Sequence, residues 1–149
     1  MYSKGTGGVV MDVFKRINEI VEKTNIDDFR IDSYTGDNLL ITGSFDFAYY
    51  HEVEVEFHEV MYLSLPVLFS NPLFRLASVD EIEVVRKFIA VGDRHTVFCI
   101  EAESDASFEK IPFYVVAESV RLREGTVYYY EREHLEENER IADWVKRKS

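Results

Sequence analysis

The stretch YHEVEVEFHEV, residues 50 to 60, sets Glu52, Glu54 and Glu56 at alternate positions and brackets them with His51 and His58. Two chemistries use those residue types: imidazole and carboxylate ligation of a divalent cation, and acid–base work by paired carboxylates. In an extended strand, successive side chains point to opposite faces. Glu52, Glu54, Glu56 and His58 would then share one face, and His51, Val53, Val55 and Phe57 the other. The two histidines would point apart, roughly 23 Å from each other at ~3.3 Å per residue. Zinc needs its ligands about 2.0–2.3 Å from one point. His51, Glu54, His58 and the nearby Asp46 are therefore metal-site candidates only if the chain turns between them. Successive glutamates lie about 6.6–7 Å apart, a separation that suits inverting glycosidases. Every alternating pair on every strand shares it, so it carries no information. The simplest expectation is the solvated face of an antiparallel sheet.

Charge gives that face a second meaning. The chain has 28 Asp and Glu against 17 Lys and Arg, a formal net charge of −11. Nucleic acid and anionic membrane both demand basic surface, so neither is expected as a partner. Between Arg30 and Arg75 there is no lysine or arginine, while Asp32, Asp37, Asp46, Glu52, Glu54, Glu56 and Glu59 all fall in that gap. Neighbouring like charges on a sheet cost a few tenths of a kcal/mol per pair. Relief must come from distant basic residues such as Arg75, Arg121 or Arg123, or from a basic protein partner. On this ground Glu52, Glu54 and Glu56 are candidate partner-binding residues. Phe69 and Phe74 join them from LPVLFSNPLFRL, an apolar run interrupted by Pro66 and Pro72. Irregular backbone usually stays at the surface, so this run is the expected route to self-association as a symmetric dimer.

Other candidates for chemistry are weak. Cys99 with His95 as its base would need contact at ~3 Å, but four strand residues span ~13 Å. Cys99 reads as a small buried apolar residue, and one cysteine without a disulfide partner favours a reducing, cytoplasmic setting. KGTGG near the start has no preceding strand, so it lacks the context of a phosphate loop. No G-x-S-x-G, H-E-x-x-H or Walker run occurs. No cofactor is expected. RLREGTVYYYER, read as a hairpin turning at Glu124–Gly125, would set Arg121 over Tyr128 as a cross-strand cation–π pair. Phe45, Phe47, Tyr62, Phe98, Phe113 and Tyr129 could alternatively line a cup for an apolar molecule.

The elements that must position these residues follow from periodicity. Val13, Phe14, Ile17, Ile20 and Val21 recur at helical spacing, which predicts a helix over 12–24 with Asp12 as N-cap and residues 1–10 as a flexible leader, Met11 being an alternative start. Strands are expected at FRIDSY and, after the TGDN turn, from Leu39 to Phe57, with a break near Tyr49–His51 and another at His58–Glu59. LPVLFSNPLFRLA reads as a packed loop or edge segment. Ser78 with Glu81 has capping-box spacing, predicting a short helix near 79–90, against a hairpin closed at Gly92–Asp93. RHTVFCIEAES and PFYVVAESVRLREGTVYYYE read as strands. Leu135, Ile141, Trp144 and Val145 predict a C-terminal helix opening at His134 and ending on Lys146, Arg147 and Lys148.

The expected fold class is α+β in a single domain over 1–149: a mostly antiparallel β-sheet flanked by an N-terminal and a C-terminal helix. The expected function is a non-enzymatic protein-interaction module with a carboxylate-rich sheet face. The alternative is a metal-dependent enzyme or small-ligand binder whose site is assembled from sequence-distant residues.

Overall fold

The computed structural model describes the backbone of residues 2–104 and 107–145, and the side chains of 9–104 and 108–145. Its order is α1 (Tyr2–Lys23), β1 (Asp28–Thr35), β2 (Asn38–Ser44), β3 (Tyr50–His58), β4 (Tyr62–Ser64), β5 (Leu68–Leu76), α2 (Val79–Arg86), β6 (Thr96–Ser104), β7 (Ser107–Ala117), β8 (Ser119–Tyr128) and β9 (Arg140–Ile141). The nine strands form one sheet in the order β4-β7-β6-β5-β1-β2-β3-β8-β9. Every pairing is antiparallel except β8 with β9. The α+β class expected from the sequence is the class observed. Among the described residues no helix is long and apolar enough to cross a membrane.

The sheet curls back on itself. β3 runs into β4 past a kink at Glu59, whose φ is +54°, and β7 runs into β8 with only Glu118 between them. The β3–β8 ladder continues as the β4–β7 ladder through Glu118 N–H to His58 O at 3.0 Å and Met61 N–H to Val116 O at 2.9 Å. The sheet order thus starts and ends on the same two segments. Phe57 of β3 and Phe98 of β6 sit four strands apart in that order, which is about 19 Å in a flat sheet at ~4.8 Å per strand. Their ring centroids are 5.3 Å apart.

Inside the curl lies α1. Phe14, Ile17 and Ile20 are buried at 3%, 0% and 4% exposure, in one core with Phe29, Leu39, Ile41, Val55, Phe57, Phe74 and Phe98. Asn18 fixes the helix to β5, donating from Nδ2 to Phe74 O and accepting at Oδ1 from Phe74 N–H, both at 2.9 Å. Arg16 fixes it to β8 through Glu124 at 2.7 Å. The helix starts at Tyr2, so Asp12 is not its N-cap and residues 2–10 are not an irregular leader. Val10, 4% exposed, extends the apolar stripe one turn toward the N-terminus, and its burial outweighs the poor helix propensity of the glycines before it.

α2 packs on the opposite face. Ser78 and Glu81 form the predicted capping box, and Val85 is buried over Val97 and Val116. Arg75 donates to Glu81 at 2.7 and 2.9 Å and to Glu101 at 2.9 Å, while the Tyr114 hydroxyl donates to Glu81 at 3.0 Å. The Arg75 hydrogen bonds hold the Glu81 carboxyl down at about 2. Cys99 lies under this network, fully buried, and burial pushes its thiol up to about 12. A neutral, enclosed thiol is a packing residue, as expected.

Four local expectations are corrected. Of LPVLFSNPLFRL, only residues 65–67 are irregular, and the rest is neither loop nor edge. Leu68–Leu76 is β5, central between β1 and β6. Pro72 is tolerated because the register shifts between Ser70 and Leu73, with Asn71 at φ +50°, so the missing N–H falls in a bulge. The break between β2 and β3 falls at Phe45–Tyr49, not at Tyr49–His51, because Asp46 builds the turn: its Oδ1 accepts from Ala48 N–H at 3.0 Å. No hairpin turns at Glu124–Gly125, since both residues lie inside β8 opposite β3. Finally, the described C-terminal residues hold no helix. The acidic run from Glu131 to Glu139 gives no continuous apolar stripe, and Arg140–Ile141 joins the sheet instead, with Ala142 N–H donating to Tyr128 O at 2.9 Å. Lys146, Arg147 and Lys148 lie outside the described residues.

Candidate charged groove

β3 does set Glu52, Glu54, Glu56 and His58 on the face turned away from α1, with Val53, Val55 and Phe57 buried on the other. The pairing of β3 with β8 then decides the chemistry, by placing Arg123 opposite Glu54 and Arg121 opposite Glu56. β9 adds Arg140 from the far side of β8. The result is a groove of about 380 Å³ lined by Leu40, Glu54, Glu56, Arg121, Leu122, Arg123 and Arg140.

Glu54 is the hub of its buried side. His51, 5% exposed, reaches its i+3 neighbour where the β3–β8 register shifts. His51 Nε2 lies 2.7 Å from Glu54 Oε2, and Nδ1 lies 2.7 Å from Tyr129 Oη. The tautomer satisfying both donates from Nε2–H to the carboxylate and accepts the Tyr129 hydroxyl proton at Nδ1. Arg30 Nη2 donates to Tyr129 Oη at 3.2 Å, and Arg140 Nη2 donates to Glu54 Oε2 at 2.6 Å. Burial pushes the Glu54 carboxyl up, but the hydrogen bonds of His51 and Arg140 and the charge of Arg140 outweigh it, so it sits below its usual value. Trp144 covers Tyr129, ring centroids 5.3 Å apart, and Arg30 stacks on Phe47 at 4.2 Å.

Carboxylate, imidazole and phenol in a row form a proton relay in principle. Neither His51 nor Tyr129 lines the groove, however, and burial raises the Tyr129 hydroxyl above its ordinary value, so it stays protonated at neutral pH. Structurally, the row anchors the C-terminal strand to β3.

The open side is simpler. Arg121 Nη2 donates to Glu56 Oε1 at 2.7 Å. His58 Nε2 lies 3.0 Å from the same oxygen, a close contact without hydrogen-bond alignment. Glu52 accepts from Phe45 N–H at 3.0 Å. Among the described residues, no carboxylate forms an ion pair with Arg123.

The sequence candidates divide accordingly. His51 and Glu54 meet, but His58 pairs with Glu56 and Asp46 caps its own turn. Among the described residues no three His, Cys, Asp or Glu converge as metal ligands. Phe69 and Phe74, 2% and 1% exposed, stack with Phe29 in the core and cannot be a partner-binding surface. The segment's exposed apolar side chains are instead Val67, Leu68, Leu73 and Leu76. The six aromatics do not share a cup: Phe98 is core, Phe45 is 55% exposed, Tyr62 stacks on Phe88 and Tyr129 belongs to the His51 row. Arg75 is spent on Glu81 and Glu101, so among the described residues only Arg121 of the three suggested arginines forms an ion pair with the acidic strand. Arg140 was missed because its role depends on β9, and the helical reading of that segment hid it. Compared with known families, curated proteins and solved structures, the chain matches none.

One glycine holds the groove's far wall. Gly125 has φ +138°, and a Cβ there would collide with the carbonyl oxygen of Asn138. Gly125→Ala is expected to push the 138–141 segment off β8 and to cost about 2 kcal/mol or more from strain and lost contacts. Trp144 is the chain's one tryptophan. It is already 67% exposed, but its ring lies 5.3 Å from that of Tyr129, and the near-ultraviolet circular dichroism from that contact should fall in the variant. An unchanged spectrum with unchanged stability would contradict this role for Gly125.

Proposed function

We propose that this protein is a non-enzymatic binding module that docks a protein partner on the charged groove. The observation carrying the proposal is the pairing of Glu56 with Arg121 and of Glu54 with Arg140 in one open channel, with Arg123 beside them in no ion pair among the described residues. A basic partner suits the net charge of −11, which attracts it from a distance. Close contact works differently. Arg121 and Arg140 relieve the repulsion among the glutamates, so the groove offers a mixed pattern of donors and acceptors that registers a partner.

The test is a salt-graded pull-down from the source cell's lysate with wild type beside Glu56→Gln and Arg123→Glu. Arg123 stands opposite Glu54, but neither Glu56 nor Arg123 is bonded to the His51–Glu54–Arg140 row, so folding should survive, which thermal unfolding of each bait checks. A basic protein held by wild type at low salt and lost by either variant is the expected result. Identical capture by all three baits would remove the groove from the function.

A further inference from the structure

We infer that Arg123 is the centre of a carboxylate subsite, which takes an aspartate or glutamate side chain of the docked partner. The inference rests on the groove being the working surface, as proposed above, and adds what that surface recognises. Three guanidiniums, those of Arg121, Arg123 and Arg140, line the groove against two carboxylates, those of Glu54 and Glu56. The excess is one positive charge, in a chain whose overall balance is strongly negative.

That excess sits at Arg123. Strand register puts Arg123 opposite Glu54, and an ion pair between them is the arrangement the sheet would otherwise give. Glu54 is instead held by His51 at 2.7 Å and by Arg140 at 2.6 Å, and Glu56 by Arg121 at 2.7 Å. The buried row has taken the carboxylate that would have closed the site. An arginine fork matches a carboxylate through two parallel N–H donors, and Arg121 has donors left after its one bond to Glu56. Leu40 and Leu122 in the same lining give the methylene stem of an acidic side chain an apolar wall.

A single negative charge fits better than a phosphate. Inside the groove, doubling the ligand's charge scales its attraction to the arginines and its repulsion from Glu54 and Glu56 alike. The preference comes from the rest of the chain, whose net charge of −11 opposes the second negative charge.

The test uses sodium propionate, which reproduces the glutamate side chain, with sodium phosphate and sodium chloride at matched ionic strength as comparators. Amide shifts are followed on wild type, Arg123→Gln and Arg94→Gln, the last being an exposed arginine outside the groove. Wild type and Arg94→Gln should show saturable shifts at Leu40, Leu122 and Arg123 with a dissociation constant of millimolar order. Arg123→Gln should bind propionate about tenfold more weakly or worse, as expected for loss of a charged hydrogen-bond partner. Shifts that never saturate, shifts of equal affinity in Arg123→Gln, or tighter binding of phosphate at the same amides would overturn the carboxylate subsite. A groove-dependent partner without propionate binding sinks the subsite and leaves the binding module standing. Saturable propionate binding without such a partner supports the subsite and sinks the protein-docking reading.

Discussion

Phe98→Ala is expected to destabilise the fold by about 3–5 kcal/mol, the range for deleting a large aromatic from a close-packed core. Phe98 is fully buried, and its ring meets Phe14 of α1 at 5.7 Å and Phe57 of β3 at 5.3 Å. It therefore joins three parts that share no hydrogen-bond ladder: the helix and two strands on opposite walls of the curl. Removing it loses apolar burial and leaves a void that the ring-closed sheet cannot collapse to fill. Phe98→Leu keeps most of the volume and should cost less than about 1.5 kcal/mol. Urea unfolding of the three proteins measures both numbers. A loss under about 1 kcal/mol for the alanine variant would mean that α1 does not close the core through this ring.

Glu54→Ala should cost about 3 kcal/mol, because it removes one member of a buried charged row and strands the others. His51, 5% exposed, would lose its acceptor, and Arg140 would lose the carboxylate that holds β9. Separation of the C-terminal strand should follow, visible as loss of the near-ultraviolet circular dichroism from the Trp144–Tyr129 ring contact and as faster proteolysis after Tyr130. Glu54→Gln keeps the shape and isolates the charge. The Glu54 carboxyl lies below its ordinary 4.5 in the folded chain. A depressed carboxyl stabilises the fold fully above its unfolded value, and that contribution fades as pH falls from there through the folded value. The stability gap between wild type and Glu54→Gln should be widest near neutral pH and should close on acidification below about 4.5. A gap that stays constant from pH 7 to 3 would show that the charge of Glu54 contributes nothing to holding the strand.

Much of the frame was legible in the residues themselves. The 3.6-residue spacing of Phe14, Ile17, Ile20 and Val21 marked α1, and Ser78 with Glu81 marked the start of α2, because helix faces and caps are set by neighbours within a few positions. Alternation marked β3 down to which face each glutamate takes. The kink at Glu59 showed where that alternation stopped. Local signals failed where a distant pairing competed with them. Pro72 argued against a central strand, yet a bulge at Asn71 accommodates it. Gly125 resembled a hairpin turn, but β3 holds it in an extended strand. Leu135, Ile141 and Trp144 resembled a helical stripe, whereas Glu54 and Tyr129 capture Arg140 and Trp144 into a strand and its flank.

For the candidate site, the sequence by itself determined the composition of one wall: three glutamates and a histidine on the outer face of β3, in a segment without a basic residue. Only the tertiary structure decided what that wall means. It brought Arg121 and Arg123 from β8 and Arg140 from β9 across from residues 65 or more positions earlier. It also let His51 bend round to Glu54. The physical reason is range. Alternation and capping are fixed by bonds a few residues long, but the partner of a charge depends on which strand lies beside it, and sheet order is set by the whole core.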